Sequence, residues 1–294
     1  MPCFDPIPAY YVESNYGGRV KKSLYFNSIE RPNMQVPCGR CIGCRMDKKR
    51  EWATRCMHEA ALYEHNTFIT LTYSDENLPK GGTLNHRHYQ LFMKRLRKKL
   101  GGKKIRYFMC GEYGPTTNRP HYHAILFNIH FDDKKFWKFN QKGDPIFTSV
   151  LLSNTWRLGH SSLGAVTPRS ASYVAGYVQK KMNGEEAQKK YGDRYPEYGR
   201  MSNRPGIGKD WLIKHADDVY PGDFVLFDGK KVRVPKYYDT LLGREEPELL
   251  QAIKEERIKN NTEKAYEGEK SSERLEVKRK VAEARQKLNQ REEL

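Results

Sequence analysis

The sequence has little of what marks a membrane protein or a secreted disulfide scaffold. The chain of 294 residues contains only six cysteines, too few for a disulfide framework of that length. Its mean hydropathy is −0.87, and no run of about 18 apolar residues is present, so we expect no membrane partner. Near the start, no basic segment precedes an apolar stretch, so a signal peptide is not expected. A Gly-x4-Gly-Lys-Ser/Thr motif is also missing, which argues against a fused helicase domain.

Basic residues, in contrast, are in large excess. Lys and Arg number 53 against 36 Asp and Glu, for a formal net charge of +17. Residues 244–294 contain 13 basic and 13 acidic residues, so the whole excess arises from residues 1–243. Such an excess indicates a polyanionic partner, most simply a nucleic acid. Five basic residues crowd one predicted helix and are candidate DNA contacts, with a solvated cationic face as the alternative: Lys94, Arg95, Arg97, Lys98 and Lys99.

The hydrophobic pattern predicts a mixed protein of helices and strands, with antiparallel strands in the middle of the chain. Apolar residues at helical spacing predict helices at 45–64, 86–100 and 170–182. Alternating or β-branched segments predict strands at 66–73, 104–114 and 119–129, and a short strand follows Gly159. Residues 145–157 fit a helix or a strand. The fold class expected is therefore α+β.

The chain divides into three predicted parts. Residues 1–65 form a cysteine-rich arm followed by a helix, and residues 66–243 form the main globular domain with a C-terminal extension. Residues 244–294 are rich in Glu, Lys, Arg and Gln and have few apolar residues. Such a tail has little to bury, so we expect either partial helix or disorder there.

A His-x-His pair carries the first candidate chemistry. His121 and His123 alternate along a predicted strand, so both imidazoles project from one face of the sheet, while Tyr122 points the other way. Two imidazoles on one face can chelate one divalent cation and leave positions for further ligands. The alternative is a pair of surface histidines without a ligand.

Two tyrosines are the second candidate for catalytic chemistry. Tyr173 and Tyr177 are four residues apart, so a helix places both phenols on one face, one turn apart, with Lys180 close behind. A phenol with a pKa of about 10 is a weak nucleophile, but it can attack a phosphodiester that a metal polarises. Alternatively, both rings belong to an apolar stripe that faces the core.

Clustered cysteines form a third candidate site. Cys38, Cys41 and Cys44 follow a C-x2-C-x2-C pattern, and Cys3 could supply a fourth thiolate. Four thiolates form a closed tetrahedral site for structural Zn²⁺. Free thiols and an iron–sulfur cluster are the alternatives, whereas Cys56 and Cys110 fit the core.

Taken in order, these motifs resemble those of a known enzyme superfamily. FITLTY (68–73), RPHYHAILF (119–127) and YVAGYVQKK (173–181) are similar to the three ordered motifs of the two-tyrosine HUH endonucleases. The segments MPCFDP, VPCGRCIGC, CGEYG, PGIGKDW and VPKYYD, with the W-x2-G-H pattern of Trp156–His160, resemble replication initiation proteins of gokushovirus-type microviruses. This resemblance covers residues 1–243.

The resemblance implies a fold and roles for individual residues. It implies a central antiparallel sheet of about five strands flanked by helices, with residues 66–243 as the catalytic domain. His121 and His123 would bind Mg²⁺ or Mn²⁺, with Glu112 as the candidate third ligand and His130 and His160 as weaker ones. Tyr173 and Tyr177 would be the nucleophiles, and Lys180 would stabilise charge at the scissile phosphate.

The implied activity is rolling-circle initiation on single-stranded or hairpin origin DNA. The enzyme would nick the origin through a 5′-phosphotyrosine link, leave a 3′-OH primer and later rejoin the strand. It would act in the host bacterial cytoplasm beside the host helicase and polymerase. The alternatives are a plasmid initiator or single-strand transposase of the same superfamily, and a non-catalytic nucleic-acid-binding protein.

Overall fold

A computed structural model describes residues 3–16, 19–26, 34–114, 116–177, 185–263 and 271–291. The chain forms two compact units, one comprising residues 1–48 with 257–294 and the other residues 49–256. These two units are groups of residues that pack together, and they do not test the functional boundaries at 65 and 243, which stay predictions. Among the described residues, no helix is both long and apolar enough to cross a membrane.

The smaller unit contains a three-stranded antiparallel sheet. Its strands are β1 (Ile7–Tyr16), β2 (Arg19–Tyr25) and β3 (Met34–Val36), in the order β2-β1-β3.

The tail is helical where it is described, with α8 at Pro247–Glu263 and α9 at Ser272–Arg291. Of the two expectations for the tail, the helical one is therefore the one observed in these segments.

A seven-stranded antiparallel sheet is the centre of the larger unit. Its strands are β4 (Asn66–Thr72), β5 (Arg106–Tyr113), β6 (Pro120–Phe127), β7 (Lys135–Phe139), β8 (Pro145–Thr148), β9 (Ser161–Gly164) and β10 (Tyr198–Met201). They lie in the order β10-β5-β6-β4-β9-β8-β7. A small hairpin follows, made of β11 (Phe224–Phe227) and β12 (Lys230–Arg233).

The remaining helices lie between these strands along the chain, except α7, which follows β12. They are α1 (Ile42–Ala60), α2 (His86–Lys99), α3 (Val150–Trp156), α4 (Pro168–Tyr177), α5 (Glu185–Tyr191), α6 (Lys209–Val219) and α7 (Lys236–Glu245). The α+β class is confirmed. The sheet has seven strands instead of about five, because β7 and β10 are short edge strands with weak sequence patterns. The ambiguous segment 145–157 contains both alternatives, strand β8 and then helix α3, with Ser149 as the N-cap of α3.

Each face of the large sheet packs against different helices. On one face, Leu71 and Tyr122 pack in a cluster with Phe92 of α2 and Trp156 of α3. On the other face, the cluster includes residues of α1 and α4 together with strand residues such as Ile125. Because side chains alternate along a strand, His121 and His123 project to the face that α4 covers, and Tyr122 projects away from them. Cys56 and Cys110 are buried in that second cluster, as expected.

A buried histidine makes the stability of the larger unit depend on pH. His58 stacks on Trp211 with ring centroids 3.5 Å apart, and its Nδ1 lies 2.9 Å from the hydroxyl of Tyr238. Burial lowers the pKa of His58 to about 4, although the carbonyl of Leu226 opposes this effect. In the unfolded chain, the pKa returns to about 6.5, so the unfolded state takes up a proton first as the pH falls.

We therefore expect acid to weaken the wild type more than a His58→Phe variant, which keeps the stacking ring but has no titratable group. Between pH 7 and pH 4, the excess loss in the free energy of unfolding should be about 2–3 kcal/mol. Denaturant unfolding of both proteins across this pH range measures it. An identical pH dependence in the two proteins would contradict the prediction.

Candidate metal centre and nucleophile

The strand register brings three potential metal ligands together on the face covered by α4. Glu112 of β5 is the direct partner of His121 in β6, and Cys110 is the partner of His123. Directly opposed residues of antiparallel strands project to the same face, so Glu112, His121 and His123 share it. One ligand atom from each of the three lies within 4.8 Å of the others. Glu112, whose side-chain direction depended on the register, is thus placed beside the histidine pair.

One carboxylate oxygen lies between the two imidazoles. Oε1 of Glu112 is 2.7 Å from Nε2 of His121 and 2.9 Å from Nε2 of His123. The other oxygen, Oε2, is buried and has no hydrogen-bond partner among the described residues. A buried carboxylate oxygen without a partner is unfavourable unless a cation or a donor reaches it.

Outer contacts orient both imidazoles toward this carboxylate. Nδ1 of His121 lies 3.0 Å from the backbone carbonyl of Arg119, which can only accept, so Nδ1 carries the proton. Nδ1 of His123 lies 2.9 Å from Oγ1 of Thr70, on the neighbouring strand β4. Nε2 of His121 is thereby the nitrogen that faces the site, where it donates to Glu112 when protonated and can bind a cation when that proton is displaced, as in metal-binding histidines. Thr70 belongs to the FITLTY motif, whereas nothing in the sequence marked the carbonyl of Arg119.

The electrostatics of the three groups are coupled. Burial raises the pKa of Glu112, but the hydrogen bonds from His121 and His123 outweigh it and lower the value to about 2. Burial lowers the pKa of His121, yet the bond to Glu112 prevails and the net shift is upward. For His123 burial dominates, and its pKa falls below the ordinary value. The site therefore holds a fixed negative charge beside two imidazoles of different basicity.

This donor set fits a divalent cation. Two imidazole nitrogens and one carboxylate oxygen on a rigid sheet leave further coordination positions for water and a phosphate oxygen. A cation at this point would satisfy the orphaned Oε2 of Glu112 and would replace the proton by which Nε2 of His121 bonds to Oε1.

A tyrosine hydroxyl reaches the same site from α4. The Oη atom of Tyr173 lies 3.0 Å from Oε1 of Glu112 and 3.4 Å from Nε2 of His123. Its ring packs edge-on against His123, with centroids 5.0 Å apart, while 36% of the residue stays exposed. The tyrosine is therefore held by the site on one side and open to solvent on the other. The interpretation of this ring as a core stripe is wrong, because its hydroxyl contacts the ligand groups.

Other sequence candidates lie elsewhere or outside the described residues. Tyr177 is the last described residue of α4, one turn beyond Tyr173, and the predicted role of Lys180 falls outside the described residues. His130 lies beyond the far end of β6, where its ring faces that of His65 at 4.8 Å. Neither His130 nor His160 joins the ligand cluster in the described part of the chain.

A second cluster gathers the four cysteines in the smaller unit. The sulfur of Cys3 is 3.8 Å from that of Cys38 and 3.9 Å from that of Cys41, and all four sulfurs lie within 4.8 Å of one another. All are free thiols. Backbone N–H groups of Phe4 and Cys44 point at the sulfur of Cys41. Burial raises the pKa of that thiol, but these N–H groups lower it to about 7.

The basic helix α2 lies on the face of the sheet opposite the histidines. The guanidinium of Arg95 donates to the carbonyls of Thr155 and Trp156, and that of Arg97 donates to the carbonyl of Ile105. Lys99 donates to the carbonyl of Asn154. Three of the five candidate cations thus contact α3 or the loop before β5, and Lys94, Lys98 and Lys99 are exposed. A role of this helix in binding DNA stays a prediction.

Comparison with known proteins finds replication-associated proteins in each case. A family model described as replication-associated protein ORF2/G2P matches residues 66–182, which include β4, β5, β6 and α4. The chain is 35% identical over 257 residues to the replication-associated protein VP4 of Bdellovibrio phage phiMH2K, covering 84% of this chain and 79% of that protein. It is 36% identical over 282 residues to the replication-associated protein ORF2 of Spiroplasma virus 4, covering 88% and 86%.

A third relative is more distant. The replication-associated protein ORF4 of Chlamydia phage 1 is 25% identical over 227 residues, covering 74% of this chain and 56% of that protein. No solved structure matches the chain significantly.

Proposed function

This chain belongs to the family of replication-associated proteins of microvirus-type phages, and from that premise we propose that it starts rolling-circle replication by nicking and rejoining single-stranded origin DNA. The observation that carries the proposal is the contact of the Tyr173 hydroxyl with Glu112, beside two inward-facing imidazoles. A nucleophile on a rigid helix next to a cation-binding carboxylate suits attack on a phosphodiester.

The chemistry starts at the hydroxyl of Tyr173. Its oxygen attacks the phosphorus of the scissile bond and loses its proton, while the bond from phosphorus to the 3′ oxygen breaks and that oxygen takes up a proton. The products are a 5′-phosphotyrosine link and a free 3′-OH that can prime synthesis. A divalent cation at Glu112, His121 and His123, which we propose to be Mg²⁺ or Mn²⁺, would neutralise charge on the phosphate and favour this attack.

The second half of the proposal concerns Tyr177. After one round of synthesis, its phenol would cleave the regenerated origin, and the new 3′-OH would attack the first phosphotyrosine and close the circle. Two tyrosines four residues apart in one helix suit such alternation, because residues at this spacing are neighbours on a helix surface. The role we assign to Lys180 is to stabilise negative charge during transfer.

The test is covalent capture of DNA. The full-length protein is incubated with labelled single-stranded circles of the phage genome that encodes it, with Mn²⁺ or with EDTA, and then denatured. We expect a protein–DNA adduct with Mn²⁺ only, and its loss in the double variant Tyr173→Phe, Tyr177→Phe. Salt-sensitive DNA binding without any adduct would favour a non-catalytic binding protein instead.

We also propose that the cysteine cluster holds structural Zn²⁺. With Zn–S bonds of about 2.3 Å, sulfurs at tetrahedral corners lie about 3.8 Å apart, close to the distances of 3.8 and 3.9 Å from Cys3 to Cys38 and Cys41. The backbone N–H groups aimed at these sulfurs would stabilise thiolates. This set fits Zn²⁺ as a closed site with four protein ligands and no open position.

Replacement of one thiolate should release the metal. We expect Cys41→Ser to lower zinc affinity at least about a hundredfold and to lower the melting temperature, because binding energy at such sites is folding energy. Zinc content after dialysis, measured by mass spectrometry, checks this. Cys56→Ala is the matched control, since Cys56 is a buried core residue outside the cluster. Equal zinc content in wild type and Cys41→Ser would refute the site.

The proposed partners and location follow from the reaction. The nicked origin with its 3′-OH needs a helicase and a polymerase, which we propose are supplied by the host. The proposed place of action is the cytoplasm of the host bacterium, where a phage genome is copied. A plasmid-type initiator or single-strand transposase is disfavoured by the similarity to phage replication-associated proteins along most of the chain.

A further inference from the structure

We propose that a cleft beside His121 receives one base of the cleaved DNA strand, next to the scissile phosphate, and that His160 helps to select it; this rests on the proposed function. The cleft has a volume of about 460 Å³, in the range of small-ligand sites. It lies where β4 ends and where β6 and β9 begin. Its polar lining residues are Thr72, Ser74, Asp75, Glu76, Arg119 and His160.

The cleft adjoins the metal ligands through the strand register. Thr72 is the direct partner of His121 in the pairing of β4 with β6, so their side chains share one face. The carbonyl of His160 accepts a hydrogen bond of 2.8 Å from the N–H of Thr72, which continues the pairing of β9 with β4 by one residue. Arg119 lies two residues before His121 and holds its imidazole through the backbone carbonyl. A DNA strand with its phosphate at His121 therefore has a neighbouring nucleotide within reach of this cleft.

A tight loop presents His160 to the cleft. The indole N–H of Trp156 donates to the carbonyl of Thr72 at 3.0 Å, and the N–H of Ser74 donates to the carbonyl of Leu158 at 2.9 Å. Gly159 has a φ of +147°, and a Cβ there would lie 2.2 Å from the nitrogen of Ser74. Only glycine allows so close an approach. The W-x2-G-H pattern thus gains a physical reason, with Trp156 and Gly159 holding the loop and His160 at its exposed end.

The lining suits a nucleobase better than a phosphate. The two carboxylates of Asp75 and Glu76 outnumber the one guanidinium of Arg119, so the net negative charge disfavours a phosphate, whereas a neutral base can use donors and acceptors together. Arg119 is prearranged, because its guanidinium donates to the carbonyl of Tyr73 and to Asp75. The imidazole of His160 is exposed and makes no side-chain hydrogen bond within the described ranges. It can therefore donate to, or accept from, the edge of a base.

The experiment measures base preference around the break. Full-length protein with Mn²⁺ is incubated with intact single-stranded oligonucleotides that contain the origin sequence at which the protein cuts. The bases on either side of the cut are randomised. Covalently captured strands and released 3′ fragments are sequenced. We compare the wild type with His160→Ala, His160→Gln and the control His65→Ala, an exposed histidine before the other end of β4. Anisotropy of selected oligonucleotides in EDTA gives binding preference without cleavage.

We expect the wild type to prefer one base at a flanking position, by adduct yield and by binding. His160→Ala should reduce this preference about tenfold at that position alone, within the range of one good base contact. His160→Gln, which keeps a donor and an acceptor, should retain part of it, and His65→Ala should retain all of it. Adduct formation with an unchanged preference in His160→Ala overturns this inference and leaves the proposed function intact. No adduct with any sequence overturns both.

Discussion

Tyr173→Phe should slow the first covalent attachment to DNA at least about a thousandfold, as expected when a nucleophile is removed. The reason is geometric, because the hydroxyl of Tyr173 is already held 3.0 Å from Oε1 of Glu112. The phenylalanine ring keeps the edge-on contact with His123, so folding and DNA binding should stay unchanged. The measurement is the rate of adduct formation with end-labelled origin DNA in Mn²⁺, with thermal unfolding as a check on the fold.

Two further variants test whether the loss of attachment is specific to Tyr173. Tyr177→Phe should keep the first attachment but lose rejoining, because the second phenol would be needed only after the first link exists. Tyr195→Phe should behave as wild type, since Tyr195 is an exposed tyrosine outside the site. If Tyr173→Phe attaches DNA at the wild-type rate and Tyr177→Phe does not, Tyr173 is not the first nucleophile, and the order of the two tyrosines must be reversed.

The second large effect concerns the metal ligands. His121→Ala should weaken Mn²⁺ binding at least about a hundredfold, because one of three protein ligands is removed. At a concentration 100 times the dissociation constant, Mn²⁺ adds about 2.7 kcal/mol to the stability of the wild type. This corresponds to a rise of several degrees in melting temperature for a unit of this size. In His121→Ala, the same Mn²⁺ should add at most about 0.4 kcal/mol, a rise of about one degree, and the DNA adduct should disappear.

His130→Ala is the matched control for this experiment. His130 lies beyond the far end of β6, away from the carboxylate. Its variant should bind Mn²⁺ as the wild type does, by calorimetry and by the thermal shift. Equal Mn²⁺ affinity in His121→Ala and wild type would show that the cation binds elsewhere. Loss of binding in His130→Ala would point to a different ligand set.

Local patterns predicted the central elements well. Strand β4 alternates between buried and half-buried residues over its whole length, which is the pattern on which its prediction depended. The edge strand β7 escaped prediction, because all five of its residues are exposed and have no buried face to set a period. The helix predicted at 45–64 starts earlier and ends at Ala60, since boundaries depend on capping and packing more than on periodicity.

In the candidate site, too, local patterns predicted some features and missed others. Residues i and i+2 of a strand share a face whatever the tertiary structure, so His121 and His123 could be paired from sequence alone. Glu112 could only be a candidate, because a slip of one residue between β5 and β6 would turn its side chain to the opposite face. The observed register makes Glu112 the partner of His121. The role of the carbonyl of Arg119 could not be foreseen, since every residue has a backbone carbonyl.

The sequence by itself determined the α+β class, the pairing of two imidazoles on a strand face and of two tyrosines on a helix face, and the cysteine spacing. These follow from the fixed periods of strands and helices, which act over a few residues. Only the tertiary structure decided that Glu112 and Tyr173 meet the histidines, that Cys3 joins the other cysteines, and that α2 lies on the opposite face of the sheet. Those contacts join residues far apart in the chain, and their geometry depends on strand register and packing that no local pattern encodes.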